Sequence, residues 1–140
     1  TGFKVNSGEY KLMGLAPYGE PKYADIILDK LIDLKDDGSM AMDMSYFQYC
    51  EGLRMTNKKF ADLFGGPERN AESEITQREM DLAASIQVVT EKAVLNMARY
   101  AREITGCEYL ALRFRHPGGP SQEQTIEALR RFGTEVIGRV

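Results

Sequence analysis

Close to its amino end the chain reads Ser7-Gly-Glu-Tyr-Lys-Leu-Met-Gly-Leu-Ala-Pro-Tyr-Gly19, which combines a lysine, a carboxylate, two tyrosines and three glycines. Gly14 and Gly19 can adopt positive φ and let another molecule approach the main chain, while Pro17 stiffens the turn between them. Lys11 can meet a phosphate as a point charge. The segment is too apolar for a solvated linker, so we expect it to line a cleft. Composition alone also permits a buried turn that needs glycine only for packing.

The same segment resembles the signature of an enzyme family. Residues 8–19, followed by Glu20-Pro-Lys-Tyr23, are similar to the corresponding run in the O-carbamoyltransferases that modify antibiotics and nodulation factors. The likeness covers about residues 2–112, and a likeness this long is far more specific than a single glycine-rich loop. It continues in order through Ile32-Asp-Leu-Lys-Asp-Asp-Gly-Ser39, Met42-Asp-Met-Ser-Tyr-Phe47, Met55-Thr56, Lys59-Phe-Ala-Asp-Leu-Phe-Gly-Gly-Pro67 and a helix that starts at Thr76.

The resemblance implies both a fold and a reaction. The chain would be a fragment of an amino-terminal catalytic domain of the α/β class, with the duplicated actin and sugar-kinase type of ATPase fold, and the fragment itself would be α+β. Members of this family form carbamoyl-adenylate from carbamoyl phosphate and ATP, and then transfer the carbamoyl group to a hydroxyl of a small-molecule acceptor. The tRNA threonylcarbamoyl transferases, which are related in mechanism, have a similar Gly-Glu pair, lysine and Gly-Leu-Pro-Tyr-Gly-like turn.

The resemblance also implies roles for five residues of the segment. Lys11 would be the catalytic cation that meets phosphate, and Gly14 and Gly19 would let main-chain amides reach the nucleotide. Glu9 and Tyr18 would line the sugar or base of ATP. The intact enzyme would also use a divalent metal, but its histidine ligands lie upstream of the matched region, so we expect no metal site in this chain. The alternative is a non-catalytic actin-like module that binds a nucleotide or another protein.

Length and charge narrow the class of protein. A chain of 140 residues can form one core of ordinary size but not two actin-like subdomains, and it opens on Thr1, so we expect an inactive fragment of a larger cytoplasmic enzyme. The net charge of −3 argues against nucleic acid as a partner, because phosphate binding needs a clustered basic surface. No apolar run is long enough to span a membrane.

The cysteines and the histidine predict no further chemistry. Cys50 and Cys107 are far apart and form no CxxC pair, so neither a disulfide framework nor a zinc site is indicated. His116 is the single histidine, and without an acidic cluster beside it we assign it no role.

The first half of the chain is predicted to hold short elements. Residues 3–5 read as the end of a strand, and residues 9–15 can form a short helix. Apolar residues at three- and four-residue spacing predict an amphipathic helix over residues 24–31. Asp37-Gly38 is a strong turn signal between two apolar runs, so we expect a hairpin there.

Two more helices are predicted further along. Thr56 is the expected N-cap of a helix over residues 58–64, and a polar, mobile loop over residues 68–74 follows it. Thr76 and Glu79 have the capping-box spacing, and Gly106 suits a left-handed cap, so we predict one long helix between them. Residues 83–85 are small enough for close packing against a sheet. The predicted apolar face, which we expect to promote self-association when uncovered, comprises Leu82, Ile86, Val89, Ala93, Met97, Tyr100 and Ile104.

The last part of the chain departs from the family pattern. A strand over residues 108–112 should lead to a Gly-Gly-Val-Ala-Leu-Asn loop, but Arg113-Phe-Arg-His-Pro-Gly-Gly-Pro120 stands there, followed by a predicted helix over residues 121–132. We therefore divide the chain into a partial carbamoyltransferase domain, residues 1–112, and a divergent tail, residues 113–140. An internal deletion and a frame error both explain the tail, and the sequence does not decide between them.

Overall fold

The computed structural model describes residues 1–5, 8–71 and 73–106. This part of the chain combines helices with one small antiparallel sheet, as expected for an α+β fragment. None of the described helices is long and apolar enough to cross a membrane. The predicted strand over residues 108–112, the helix over residues 121–132, Cys107 and His116 lie outside the described residues. The elements are α1 (Glu9–Leu15), a 3-10 turn (Ala16–Tyr18), α2 (Ala24–Ile26) continued by a π-helix (Ile27–Leu31), β1 (Ile32–Leu34), β2 (Met40–Met42), a second 3-10 turn (Met44–Tyr46), α3 (Lys58–Leu63) and α4 (Gln77–Thr105).

Helix α4 has both of the predicted ends. The Glu79 carboxylate accepts a hydrogen bond from the Thr76 amide at 3.0 Å, which is the contact expected of a capping box. At the other end Gly106 adopts φ of 66°, and its amide donates to the Arg102 carbonyl. The helix therefore begins and ends where its local sequence predicts.

The hairpin is also confirmed. Strands β1 and β2 pair antiparallel with Asp33 opposite Ala41. Gly38 in the turn has φ of 83°, and a Cβ there would lie 2.6 Å from the backbone nitrogen of Met97 in α4. Glycine is thus required both by the turn conformation and by the close approach of α4. Asn96 of α4 also donates a hydrogen bond to the Lys35 carbonyl.

The element after the glycine-rich segment differs from the regular helix predicted over residues 24–31. Only Ala24–Ile26 is α-helical, and Ile27–Leu31 forms a π-helix whose last bond runs from the Ile32 amide to the Ile27 carbonyl. The wider turn still buries Ala24, Ile27 and Leu31, because these residues belong to the core. The apolar spacing was correctly interpreted as helical, but it does not distinguish the two helix types.

The core lies where α2, α3 and α4 meet. Phe64 packs edge-on against Tyr23, with ring centroids 5.5 Å apart, and lies 4.7 Å from Phe60. Aromatic pairs at these separations favour one arrangement of α3 against the start of α2. The buried cluster consists of Ala24, Ile27, Leu31, Tyr46, Phe64 and Val89.

The prediction that Thr56 caps α3 is wrong. Asn57 is the N-cap: its side-chain oxygen accepts from the Phe60 amide at 3.2 Å, and its side-chain nitrogen donates to the Ser45 carbonyl. Thr56 instead pairs with Phe47 in an isolated antiparallel bridge. Helix α3 begins at Lys58 as predicted, but the pairing of Thr56 with Phe47 leaves the capping role to Asn57, which spacing within the segment does not reveal.

The amino end and the loop before α4 contact each other. Residues 3–5 form no strand with any described residue, contrary to prediction. The guanidinium of Arg69 donates to the Thr1 carbonyl at 2.9 Å and lies over the Phe3 ring. The described residues of this loop form no helix or strand, as predicted, and Arg69 ties the loop to the first residues of the chain.

The predicted sheet against residues 83–85 is absent from the described structure. Ala83, Ala84 and Ser85 are buried, and α4 packs there against the 3-10 turn that follows α1. Small side chains permit close approach of any main chain, and in this fold a turn takes the place expected for a strand. Of the predicted apolar face, Met97, Tyr100 and Ile104 remain exposed, with Ile104 63% accessible.

Candidate functional site

The turn after α1 lies directly on the backbone of α4. A Cβ on Gly19 would lie 2.0 Å from the Met80 carbonyl oxygen, so no larger residue fits. The expectation of positive φ is wrong here, since Gly19 has φ of −113° and ψ of 172°, which any residue can adopt. Close packing, and not backbone conformation, explains this glycine.

Asp81 is the main polar contact between the two elements. Its side chain is only 4% exposed. It accepts hydrogen bonds from the Glu20 amide at 2.8 Å, from Gln77 Nε2 at 2.8 Å and from Lys22 Nζ at 2.9 Å. These donors, the Glu20 amide first, lower the pKa of Asp81 to about 2. Asp81 is therefore ionised at neutral pH, and its hydrogen bond in turn raises the pKa of Lys22.

Two more side chains of α4 hold the same segment. Ser85 Oγ is buried, accepts from the Tyr23 amide at 2.9 Å and donates to the Asp81 carbonyl. Gln77 Nε2 lies 3.5 Å from the Tyr18 carbonyl oxygen. Residues four apart in a helix lie on one side of it, so Gln77, Asp81 and Ser85 form a single row that we call the anchor row.

Helix α1 carries the predicted cation and one predicted glycine. Lys11 and Gly14, three residues apart and hence neighbours on the helix surface, are both exposed. Gly14 lies within the helix and has no positive φ, contrary to expectation. A Cβ there would meet no described atom within 4 Å apart from its own helix backbone. Packing among the described residues therefore gives no reason for glycine at this position.

The five predicted site residues divide into two sets. Glu9, Lys11 and Gly14 lie exposed on α1, and Tyr18 in the following turn is 71% exposed. Gly19 differs, because the backbone of α4 occupies the space where its side chain would be. The nucleotide-binding roles of all five stay predictions.

A groove lies beside the contact between the turn and α4, and residues of the glycine-rich segment form one of its walls, as expected of a segment that lines a cleft. Its volume is about 420 Å³, and its walls are mostly apolar. Gln87 and Glu91, joined by a 2.8 Å hydrogen bond, supply its polar edge. The full lining is Met13, Ala16, Pro17, Pro21, Ala84, Gln87, Val88 and Glu91.

A second buried carboxylate lies at the start of α4. Burial alone would raise the pKa of Glu79, but hydrogen bonds from the hydroxyl and amide of Thr76 and from Arg78 outweigh it and lower the pKa to about 2. Arg78 also donates to the Pro67 carbonyl at 2.8 Å. Glu79 and Arg78 thus join the loop after α3 to the start of α4.

Metal binding finds no support in the part of the chain that the structure describes. It contains no group of three or more histidine, cysteine, aspartate or glutamate side chains placed to hold an ion. Cys50 is exposed and forms no disulfide there. The described residues therefore assign no ligand to the divalent metal that the family resemblance implies for the intact enzyme.

Sequence reasoning missed the anchor row. Ser85 was interpreted as a small packing residue, and Asp81 was given no role. One signal was available: a carboxylate and a serine four residues apart, beside two alanines, on the side of a helix that also carries core residues. Buried polar side chains need partners, so this pattern indicates that another main chain lies against the helix.

Residues 1–116 match the model of a family described as carbamoyltransferase N-terminus, so the chain belongs to that family. This confirms the resemblance drawn from the residues. An uncharacterized protein of Synechocystis sp. is 69% identical over 112 residues, which is 80% of this chain and 18% of that protein.

Two nodulation proteins are also similar. Nodulation protein NolNO of Sinorhizobium fredii is 33% identical over 104 residues, 74% of this chain and 14% of that protein. Nodulation protein NolO of Bradyrhizobium diazoefficiens is 29% identical over 106 residues, 74% and 17% respectively. The chain thus spans at most 18% of the length of these three relatives.

Proposed function

We propose that this chain is part of the catalytic domain of an enzyme that transfers a carbamoyl group to a hydroxyl of a small-molecule acceptor. Family membership supports carbamoyl transfer in general. The domain would have the actin and sugar-kinase type of fold, and the enzyme would work in the cytoplasm. Because the chain spans so little of its relatives, activity belongs to the longer protein, and we expect the isolated chain to be inactive.

The observation that carries the proposal is Gly14. A glycine inside a helix costs about 0.5–1 kcal/mol relative to alanine, and no packing contact in the described structure offsets that cost. An exposed cation, Lys11, lies three residues before it, and Tyr18 is exposed in the next turn. A ligand that approaches the main chain at Gly14 would explain all three features.

In the proposed reaction water cleaves carbamoyl phosphate to carbamate and inorganic phosphate. A carbamate oxygen then attacks the α-phosphorus of ATP, which forms carbamoyl-adenylate and releases pyrophosphate. The acceptor hydroxyl then takes the carbamoyl group and releases AMP. Lys11 stabilises charge that develops on a phosphate oxygen, which needs a preorganised cation and not a strong base. Gly14 leaves the surface of α1 open to the nucleotide, Gly19 lets the adjoining turn pack on α4, and Glu9 and Tyr18 contact the sugar or base.

A direct test uses the full-length protein that contains this segment. With ATP, carbamoyl phosphate and magnesium, we expect pyrophosphate to be released only when both substrates are present. Binding of ATP without pyrophosphate release would favour the second candidate, a non-catalytic actin-like nucleotide-binding module. Absence of both ATP binding and pyrophosphate release would contradict the proposal.

A further inference from the structure

Three side chains of α4 form hydrogen bonds with the main chain of the candidate site. In the anchor row, Gln77 contacts the carbonyl of Tyr18, Asp81 accepts from the amide of Glu20, and Ser85 accepts from the amide of Tyr23. The row therefore contacts the main chain at three points between residues 18 and 23. Together with the 3-10 turn this stretch forms residues 16–23, which we call the turn, and it contains two of the five predicted nucleotide contacts, Tyr18 and Gly19.

The anchors are strong because they are shielded from water. Ser85 is 0% exposed and the side chain of Asp81 4%. A hydrogen bond to a buried carboxylate is stronger than a neutral bond at the surface, and a lost partner leaves a buried group unsatisfied. Gly19 brings the turn so close to Met80 that the main chain has no room to move toward α4.

We infer that Asp81 is a positioning residue for nucleotide binding: through the Glu20 amide and Lys22 it sets the place of Tyr18 and Gly19 relative to α1. The inference rests on the proposed function, because it assumes that ATP binds at this turn. Asp81 itself contacts no substrate. It acts by holding the turn in the conformation that receives the nucleotide, so that binding does not have to order it.

The informative variant is Asp81→Asn in the full-length protein. Asparagine keeps the size of the side chain, but it has one carbonyl oxygen in place of two carboxylate oxygens, and its amide group meets Lys22 as donor against donor. The turn should loosen while the core stays intact. We expect the KM for ATP to rise about fivefold to fiftyfold, with a smaller change in kcat at saturating ATP.

The matched control is Val89→Ala. Val89 lies on the same helix, is as well buried as Asp81, and belongs to the apolar core, where its side chain has no donor or acceptor for the main chain of residues 16–23. Its truncation should lower the melting temperature but leave the KM for ATP unchanged. Hydrogen exchange of residues 16–23 gives a second readout, and it should become faster in Asp81→Asn than in Val89→Ala.

The outcomes separate the inference from the proposed function. If the unaltered protein neither binds ATP nor releases pyrophosphate, the proposed function is wrong and the inference falls with it. If it binds ATP and Asp81→Asn binds equally well, only the inference is overturned. Equal rises in the KM for ATP in Asp81→Asn and Val89→Ala would also overturn it, because that pattern indicates a general loss of stability.

A milder variant decides the question if Asp81→Asn does not fold. Lys22→Met removes the ammonium group that donates to the Asp81 carboxylate and leaves the carboxylate with its Glu20 and Gln77 donors in place. We expect a rise of about twofold to tenfold in the KM for ATP, together with faster exchange at the end of the turn. An unchanged KM in this variant would overturn the inference.

Discussion

Gly19 lies so close to Met80 that a Cβ on residue 19 would be 2.0 Å from the Met80 carbonyl oxygen. The glycine at position 14, five residues earlier, meets nothing comparable. The two glycines of this motif thus have different structural effects: Gly19 permits close contact with α4, and Gly14 leaves the surface of α1 open. The difference can be tested by substitution.

The first prediction compares alanine at the two positions. Gly19→Ala should lower the free energy of unfolding of the chain by about 1–3 kcal/mol or more, because the turn must move away from α4. Gly14→Ala should raise it by about 0.5–1 kcal/mol, because alanine favours a helix and space is available. Urea denaturation measures both. Equal effects of the two substitutions would show that Gly19 does not contact α4 as described.

The second prediction concerns pH. The ordinary pKa values of 4.5 for Glu79 and 3.8 for Asp81 are both lowered to about 2 in the folded chain. A carboxyl group with a lowered folded pKa stabilises the fold above its unfolded pKa, and this contribution disappears as pH falls toward the folded value. The free energy of unfolding should therefore decrease as the pH falls from 4.5 to about 2.

Urea denaturation at several pH values in that window measures the dependence. Asp81→Asn removes one of the two groups, so its unfolding free energy should vary less steeply with pH. A dependence as steep as that of the unaltered chain would mean that Asp81 does not gain its hydrogen bonds on folding.

The third prediction concerns the exposed cation of α1. In the full-length protein Lys11→Ala should raise the barrier for use of ATP or carbamoyl phosphate by about 1–3 kcal/mol, the usual effect of losing a charge-assisted contact. The control is Lys58→Ala, which removes an exposed lysine that pairs with Asp62 on α3. Steady-state kinetics with each substrate varied should show a change for Lys11 alone. Unchanged kinetics in Lys11→Ala would remove this lysine from the site.

The fourth prediction tests the corrected cap of α3. Asn57→Ala should lower the free energy of unfolding by about 0.5–2 kcal/mol, because it removes the acceptor of the Phe60 amide and the donor to Ser45. Thr56→Ala should have a smaller effect, since its backbone and not its hydroxyl pairs with Phe47. Denaturation of both variants decides the matter, and a larger loss at Thr56 would restore the original assignment.

The fifth prediction is self-association of the isolated chain. The second half of α4 exposes Val94, Leu95, Met97, Tyr100 and Ile104, each at least 43% accessible. Uncovered apolar stripes of this kind tend to associate. Sedimentation at increasing concentration should show dimers or larger species, and Tyr100→Lys with Ile104→Lys should reduce them. A monomer at all concentrations would contradict this expectation.

Local sequence determined the elements whose reasons lie within a few residues. The capping box at Thr76, the left-handed Gly106 and the turn at Gly38 were all predicted correctly, because each depends on contacts or backbone angles inside one segment. Family membership was also predictable from the sequence alone, because the resemblance rests on a long run of residues in matching order.

Only the tertiary structure decided which residues hold the candidate site together. The Asp81 carboxylate and the Glu20 amide are 61 positions apart, and no local pattern states that a chain will return to a particular helix face. Gly19 was predicted from its backbone freedom, but it is required because the backbone of α4 leaves no room for a side chain. Thr56 was predicted as a helix cap, but its backbone pairs with Phe47 instead. Long-range packing fixes these roles because the partner, and therefore the energy, comes from another part of the chain.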